Sequence, residues 1–260
     1  MKFPVYLLSL LCFMNLILLA QHDNKPAYVN ENGTPLKNTS ILNLLYGNSR
    51  YFGSDVLASY TRTSSDATGI CIIPQKLQFM VTAAKAYKTN YSQYILAFTA
   101  APLLKNNECQ VPVGVLFLKG NNNVYKKVDA KPYFFNAGSF GQGGVYDIVQ
   151  ISHSTYAGLA ISETEEDGIS KTTLSLVGVL DNKIINFTPE SIAIGENNFN
   201  EKQKPYYSWN ATYSFKPGKG RLYDLHIEIS GKRLENGIAV NYASSLVYTY
   251  EDEQYQLSAK

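Results

Sequence analysis

Asp224, His226 and Glu228 alternate with Leu225, Ile227 and Ile229, and on an extended strand that period of two puts the three polar side chains on one face. Carboxylate oxygens and an imidazole nitrogen are ligands for a divalent cation, and a carboxylate beside a His can also hold its tautomer for proton transfer. A metal needs donors that converge, whereas next-but-one side chains on a strand project in parallel. Asp224, His226 and Glu228 are thus the candidate metal set, set against the plainer reading of a solvated face on an amphipathic strand. With only His153 and His226 beyond the N-terminal region, a His-rich site is excluded.

Ala137-Gly138-Ser139-Phe140-Gly141 resembles a nucleophile elbow with Ala in place of the first Gly. The elbow requires a strand before the Ser and a helix after it. Here Gln142-Gly143-Gly144 intervenes and Val145 to Ile151 reads as a strand, so the segment predicts a glycine-rich loop. It also lacks the G-x-G-x-x-G order for dinucleotide phosphates. Glu163, Glu165, Glu166 and Asp167 could attract Ca²⁺, but the D-x-D-x-D-G ligand order is missing, and the run reads as a solvated hairpin tip. Lys216-Pro217-Gly218-Lys219-Gly220-Arg221 could attract an anion, although its Pro-Gly core describes an ordinary turn. No catalytic set and no cofactor are expected.

The chain carries 20 Tyr and 12 Phe against one Trp. Tyr buries apolar area while keeping a polar tip, which suits recognition surfaces as well as strand packing. Tyr206, Tyr207 and Trp209 concentrate this chemistry, and with Glu163, Glu165 and Glu166 they form the candidate partner-binding set. Candidate contact loops are Lys105 to Gln110, Ser162 to Gly168 and Asn197 to Lys204.

The elements that would position these residues are strands. From about Ile41 the chain consists of short runs rich in Tyr, Val, Ile, Phe and Thr, separated by Asn, Gly, Asp and Pro. Ile41 to Tyr46 and Ala83 to Tyr87 could each form a helical turn. Three segments, near 76–130, 145–188 and 206–260, share one pattern. Each has a leading strand (Lys76 to Val81, Val145 to Ile151, Trp209 to Phe215) and a second strand opened by Tyr94, Tyr156 or Tyr223. A polar loop and a third strand follow (Val113 to Leu118, Leu174 to Leu180, Ser245 to Tyr250). A tight turn at Asn121-Asn122-Asn123, Asp181-Asn182 or Glu251-Asp252-Glu253 returns each unit as a fourth strand. The expected fold is all-β, built of four-stranded antiparallel meanders in a small β-propeller-like or curved two-sheet assembly.

Met1 to Ala20 has one charge, Lys2, and an apolar run from Phe3, as a secretory signal peptide or an uncleaved anchor does. Residues 21–40 read as a flexible leader, and 41–260 as the all-β body. Loss of Lys2 leaves 22 basic against 21 acidic residues, a formal charge of +1. Near-neutrality argues against nucleic acid, which demands a basic face. Membrane contact is expected only through an uncleaved N-terminal segment. Cys12 leaves with the signal, and Cys71 and Cys109 are expected to form one disulfide worth about 3–4 kcal/mol in the loop-entropy account. The chain is therefore expected to be periplasmic or secreted and to bind a protein. The specific expectation is a non-catalytic inhibitor or immunity protein that neutralises a toxic enzyme. The alternatives are a carbohydrate-binding or carbohydrate-active secreted protein and an envelope assembly factor.

Overall fold

The structure, a computed structural model, describes residues 29–30, 36–47, 50–52, 55–59, 76–89, 92–101, 110–122, 124–138, 145, 147–198 and 205–258. Met1 to Ala20, Cys71, Cys109 and Ser139 lie outside the described residues, and so do the signal, disulfide and elbow readings that rest on them. The chain runs through β1 (Val29–Asn30), α1 (Asn38–Tyr46), β2 (Arg50–Phe52), β3 (Asp55–Ser59), β4 (Lys76–Lys88), β5 (Gln93–Ala100), β6 (Val111–Asn121) and β7 (Val124–Ala137). It continues through β8 (Asp147–Gln150), β9 (Tyr156–Glu166), β10 (Ile169–Leu180), β11 (Lys183–Asn186), β12 (Ile192–Asn198), β13 (Tyr207–Lys216), β14 (Asp224–Glu235), β15 (Ile238–Glu251) and β16 (Gln254–Leu257). Two of these elements fall within residues 21–40: β1, and the first turn of α1.

The protein is all-β, with two open sheets. Seven strands lie in the order β1-β7-β6-β5-β4-β3-β2, and nine in the order β16-β15-β14-β13-β12-β10-β9-β8 with β11 beside β10. β1 lies parallel to β7, and the remaining pairs are antiparallel. Among the described residues neither sheet closes on itself, and the arrangement seen is the two-sheet form of the expectation. β4 to β7, β8 to β11 and β13 to β16 each pair consecutively, but the last two groups are joined by β12 into one sheet. Ala83 to Tyr87 belongs to β4 and is not helical. Its alanines favour a helix locally, but pairing with β5 and the stacking of Tyr87 on Tyr94 (5.2 Å) win.

Turn chemistry sets the registers. Asp167-Gly168, Asp181-Asn182, Asn236-Gly237 and Asp252-Glu253 have positive φ at both positions, as two-residue type I′ loops require. Because the twist of those loops matches the strands, each hairpin runs without slippage.

Three interfaces organise the layers. α1 covers one face of the first sheet: Leu42 is fully buried, and the Tyr46 ring stacks 4.4 Å from Phe79. The Tyr46 hydroxyl shares a 2.7 Å hydrogen bond with Thr99 Oγ1 and donates to the Pro132 carbonyl. The other face meets β8–β11, where Phe98 lies on Gly158, Lys85 Nζ donates to the Ile148 carbonyl and Tyr87 contacts Tyr156. The nine-stranded sheet then curls so that β14–β16 cover the far side of β8–β11. The Tyr255 and Tyr223 amides donate to the Phe187 and Ile151 carbonyls, both at 2.7 Å. β10 is thus covered on both sides, and Leu174 to Leu180 is buried without a break.

Candidate functional site

On β14 the alternation is as read from the residues. Leu225, Ile227 and Ile229 are buried, and Asp224, His226 and Glu228 share the outer face with Lys216, Ser214 and Thr212 opposite them on β13. Glu228 accepts a 2.8 Å hydrogen bond from Ser245 Oγ. Among the described residues no group of three or more His, Cys, Asp or Glu side chains could hold a metal ion.

Glu163 and Glu165 sit at the end of β9 beside the Asp167-Gly168 turn, facing Thr172 and Ser170 across the ladder, and Glu163 accepts from the Ser170 hydroxyl. Glu166 occupies the last position of β9. In the Lys216 to Arg221 loop, Arg221 forks onto the Asp181 carboxylate with both terminal nitrogens. The guanidinium's hydrogen bonds hold the Asp181 carboxyl below the usual carboxylate range. That fork ties the loop to the β10–β11 turn, so one of its three cations is already engaged. After Ser139, the next described element is the strand β8. Of the candidate contact loops, 105–109 and 199–204 lie outside the described residues.

The aromatic group divides. Tyr206 is 47% exposed. Tyr207 is buried, and its hydroxyl donates to Glu196 Oε1 at 2.6 Å. Burial and then that carboxylate push its pKa up to about 12. Trp209 is half-buried and meets the edge of Tyr242 at 5.9 Å.

The Trp209–Tyr242 pair marks the root of an element that the sequence reading took for a polar loop. Trp209, Gly231 and Tyr242 form one row across β13, β14 and β15. β13 stops pairing with β14 at Gly231, whose φ is +138° and whose missing side chain lets the Trp209 backbone and Ser208 carbonyl approach. Beyond it β14 and β15 continue as a two-stranded arm, Lys232 to Asn241, closed by Asn236-Gly237. At ordinary strand rise the arm stands out by about 15 Å. Leu234 (44% exposed) and Ile238 (65% exposed) flank its tip. At its base the Arg233 guanidinium lies 4.2 Å from the Tyr242 ring centre and also pairs with Glu235. The signal that could have found the arm was present: Asn-Gly between β-prone runs is a strong hairpin marker.

Chemically, the arm offers two exposed aliphatic side chains, a cation placed over an aromatic ring, and uncovered backbone edges. No helix among the described residues is long and apolar enough to cross a membrane. No protein-family model, no curated protein and no solved structure matches the chain.

Proposed function

We propose that this is an exported protein-recognition module, most specifically an inhibitor that neutralises a toxic or hydrolytic enzyme outside the cytoplasm, and that the β14–β15 arm is its contact element. The observation that carries the reading is the arm itself. A projecting ribbon tipped with Leu234 and Ile238 fits a concave surface, and enzyme clefts are the concave surfaces that proteins commonly offer. Arg233 and Tyr242 at the base are of the residue types that dominate binding energy at protein interfaces. The two-sheet core supplies the rigid mount, which limits the ordering cost on binding.

The test uses the enzyme retained by the purified protein from the host's envelope extract. The expected outcome is a complex holding one enzyme per chain, in which the enzyme's activity is suppressed. Joining Gly231 to Tyr242 through Asn-Gly removes the arm while keeping the hairpin register, and is expected to abolish suppression in a protein that still folds. A stable complex without loss of activity rejects the inhibitor role. Full inhibition by the armless variant rejects the arm as the contact.

A further inference from the structure

Ten consecutive residues of β15, Ile238 to Val247, contain no charged residue, no proline and no glycine. β16 covers β15 only from Tyr248 to Glu251. Among the described residues no strand pairs with the outer edge of the preceding stretch. The register identifies which backbone groups stand open. The two-residue turn at Asp252-Glu253 makes Glu251 and Gln254 a hydrogen-bonded pair, and the Ser258 amide donates to the Val247 carbonyl at 2.8 Å. Odd-numbered residues of β15 therefore direct N–H and C=O outward, and even-numbered ones direct them to β14, as the turn between Glu235 and Ile238 also requires. Ala239, Asn241, Ala243 and Ser245 present their amides and carbonyls on the open side.

Proteins that stay monomeric blunt such edges with Lys, Pro, bulges or very short strands. The other edges of this sheet follow that rule, since β16 and β8 have four residues each. β15 uses none of these devices along the open stretch.

We propose that this edge pairs antiparallel with the same edge of a second copy of the chain. The open groups run from Ala239 to Ser245, and their midpoint is Tyr242. A two-fold axis through Tyr242, perpendicular to the sheet, sets Ala239 opposite Ser245 of the second copy and Asn241 opposite Ala243. Every open amide and carbonyl of the four residues then has a partner. On the core-facing side Tyr242 meets its own symmetry mate, and Ile238, 65% exposed in the single chain, falls opposite Leu246 of the second copy. Self-pairing is open to this strand because it carries no charge to repel its own copy. The contact is isologous and closed, so it ends at a dimer. Lys232 to Glu235, on the far edge of the arm, stay uncovered, and the inference does not depend on the inhibitor reading.

Sedimentation equilibrium of the purified protein across micromolar concentrations tests it. The expected mass is twice that of the single purified chain. Ala243→Pro removes one outward amide and leaves the β14 ladder intact, because Pro is tolerated where the N–H faces away from the sheet. Asn241→Lys adds the missing edge charge. Each is expected to weaken self-association at least tenfold, with far-UV circular dichroism unchanged. Leu234→Lys, on the opposite edge, is expected to leave the dimer intact. A wild-type protein that is monomeric throughout overturns the proposal, including one that instead binds an extended peptide of another protein. So does a dimer that persists in folded Ala243→Pro and Asn241→Lys variants.

Discussion

Two glycines, one at the root of the β14–β15 arm and one at its tip, should respond very differently to the same substitution. At Gly231 an added Cβ would lie 2.4 Å from the Ser208 carbonyl oxygen and 2.6 Å from Trp209 Cα. Both are backbone atoms of a paired strand, so relief requires moving β13 by about 1 Å against its ladder. Overpacking of that kind costs about 1–3 kcal/mol. The φ of +138° lies where only glycine is comfortable, adding about 1–3 kcal/mol. The unfolded chain loses freedom on Gly→Ala, which returns about 0.4–1 kcal/mol. Gly231→Ala should therefore destabilise by about 3 kcal/mol. Gly237, at the arm's tip, has φ +79° and nothing within 4 Å of the added atom. Only the left-handed penalty of about 1–2 kcal/mol applies there, less the same return, so Gly237→Ala should cost about 0.5–1 kcal/mol. Equilibrium urea unfolding, followed by the fluorescence of the single Trp209 and by circular dichroism, measures both. Trp209 is across the ladder from Gly231, so its emission should shift in the Gly231→Ala native state alone. If the two variants agree within about 1 kcal/mol, the account of how the arm leaves the sheet is wrong.

The interface between the sheets makes a second prediction. A Cβ at Gly158 would lie 2.4 Å from Phe98 Cζ, and Phe98 is fully buried, so Gly158→Ala should cost about 1–3 kcal/mol. In the Phe98→Leu background the same change should cost less by about 1 kcal/mol in a double-mutant cycle, and strict additivity would sever the proposed contact. Alkaline titration supplies a third. Burial pushes the pKa values of Tyr46, Tyr87 and Tyr255 well up, and that of Tyr207 to about 12. Their folded values exceed the unfolded value near 10, so the stabilisation they give is complete below about pH 10 and is lost as pH rises through the folded values. Urea midpoints should hold steady to about pH 9 and then fall. Tyr207→Phe should flatten the first part of that fall, and an unchanged profile would count against its burial beside Glu196.

Much of the local structure was legible in the residues. The alternation at Asp224 to Ile229 placed the outer and inner faces of β14, and the Asp-Asn and Asp-Glu turns marked two hairpins at the right positions. What failed was the extent of strands. The stretch between Glu228 and Ser245 looked like a loop because Gly231, two basic residues and Asn236-Gly237 break the apolar pattern, yet β14 and β15 run through it. An arm without a core face has no periodicity to display, since neither side is uniformly hidden from water. Tyr207 and Trp209 looked equivalent by type and position, but Glu196 on β12 draws Tyr207 inward while Trp209 meets Tyr242 on β15.

By itself the sequence determined the all-β class, the principal turns and which side of most strands is apolar, because these follow from side-chain period and backbone sterics within a few residues. Tertiary structure decided which strands share a sheet, that β10 is covered on both sides, and that, among the described residues, part of β15 keeps an open, uncharged edge. Those outcomes depend on pairings between segments distant in the chain. A strand's pattern records how much of it is hidden, whereas the identity of the element that hides it is settled only when the layers come together.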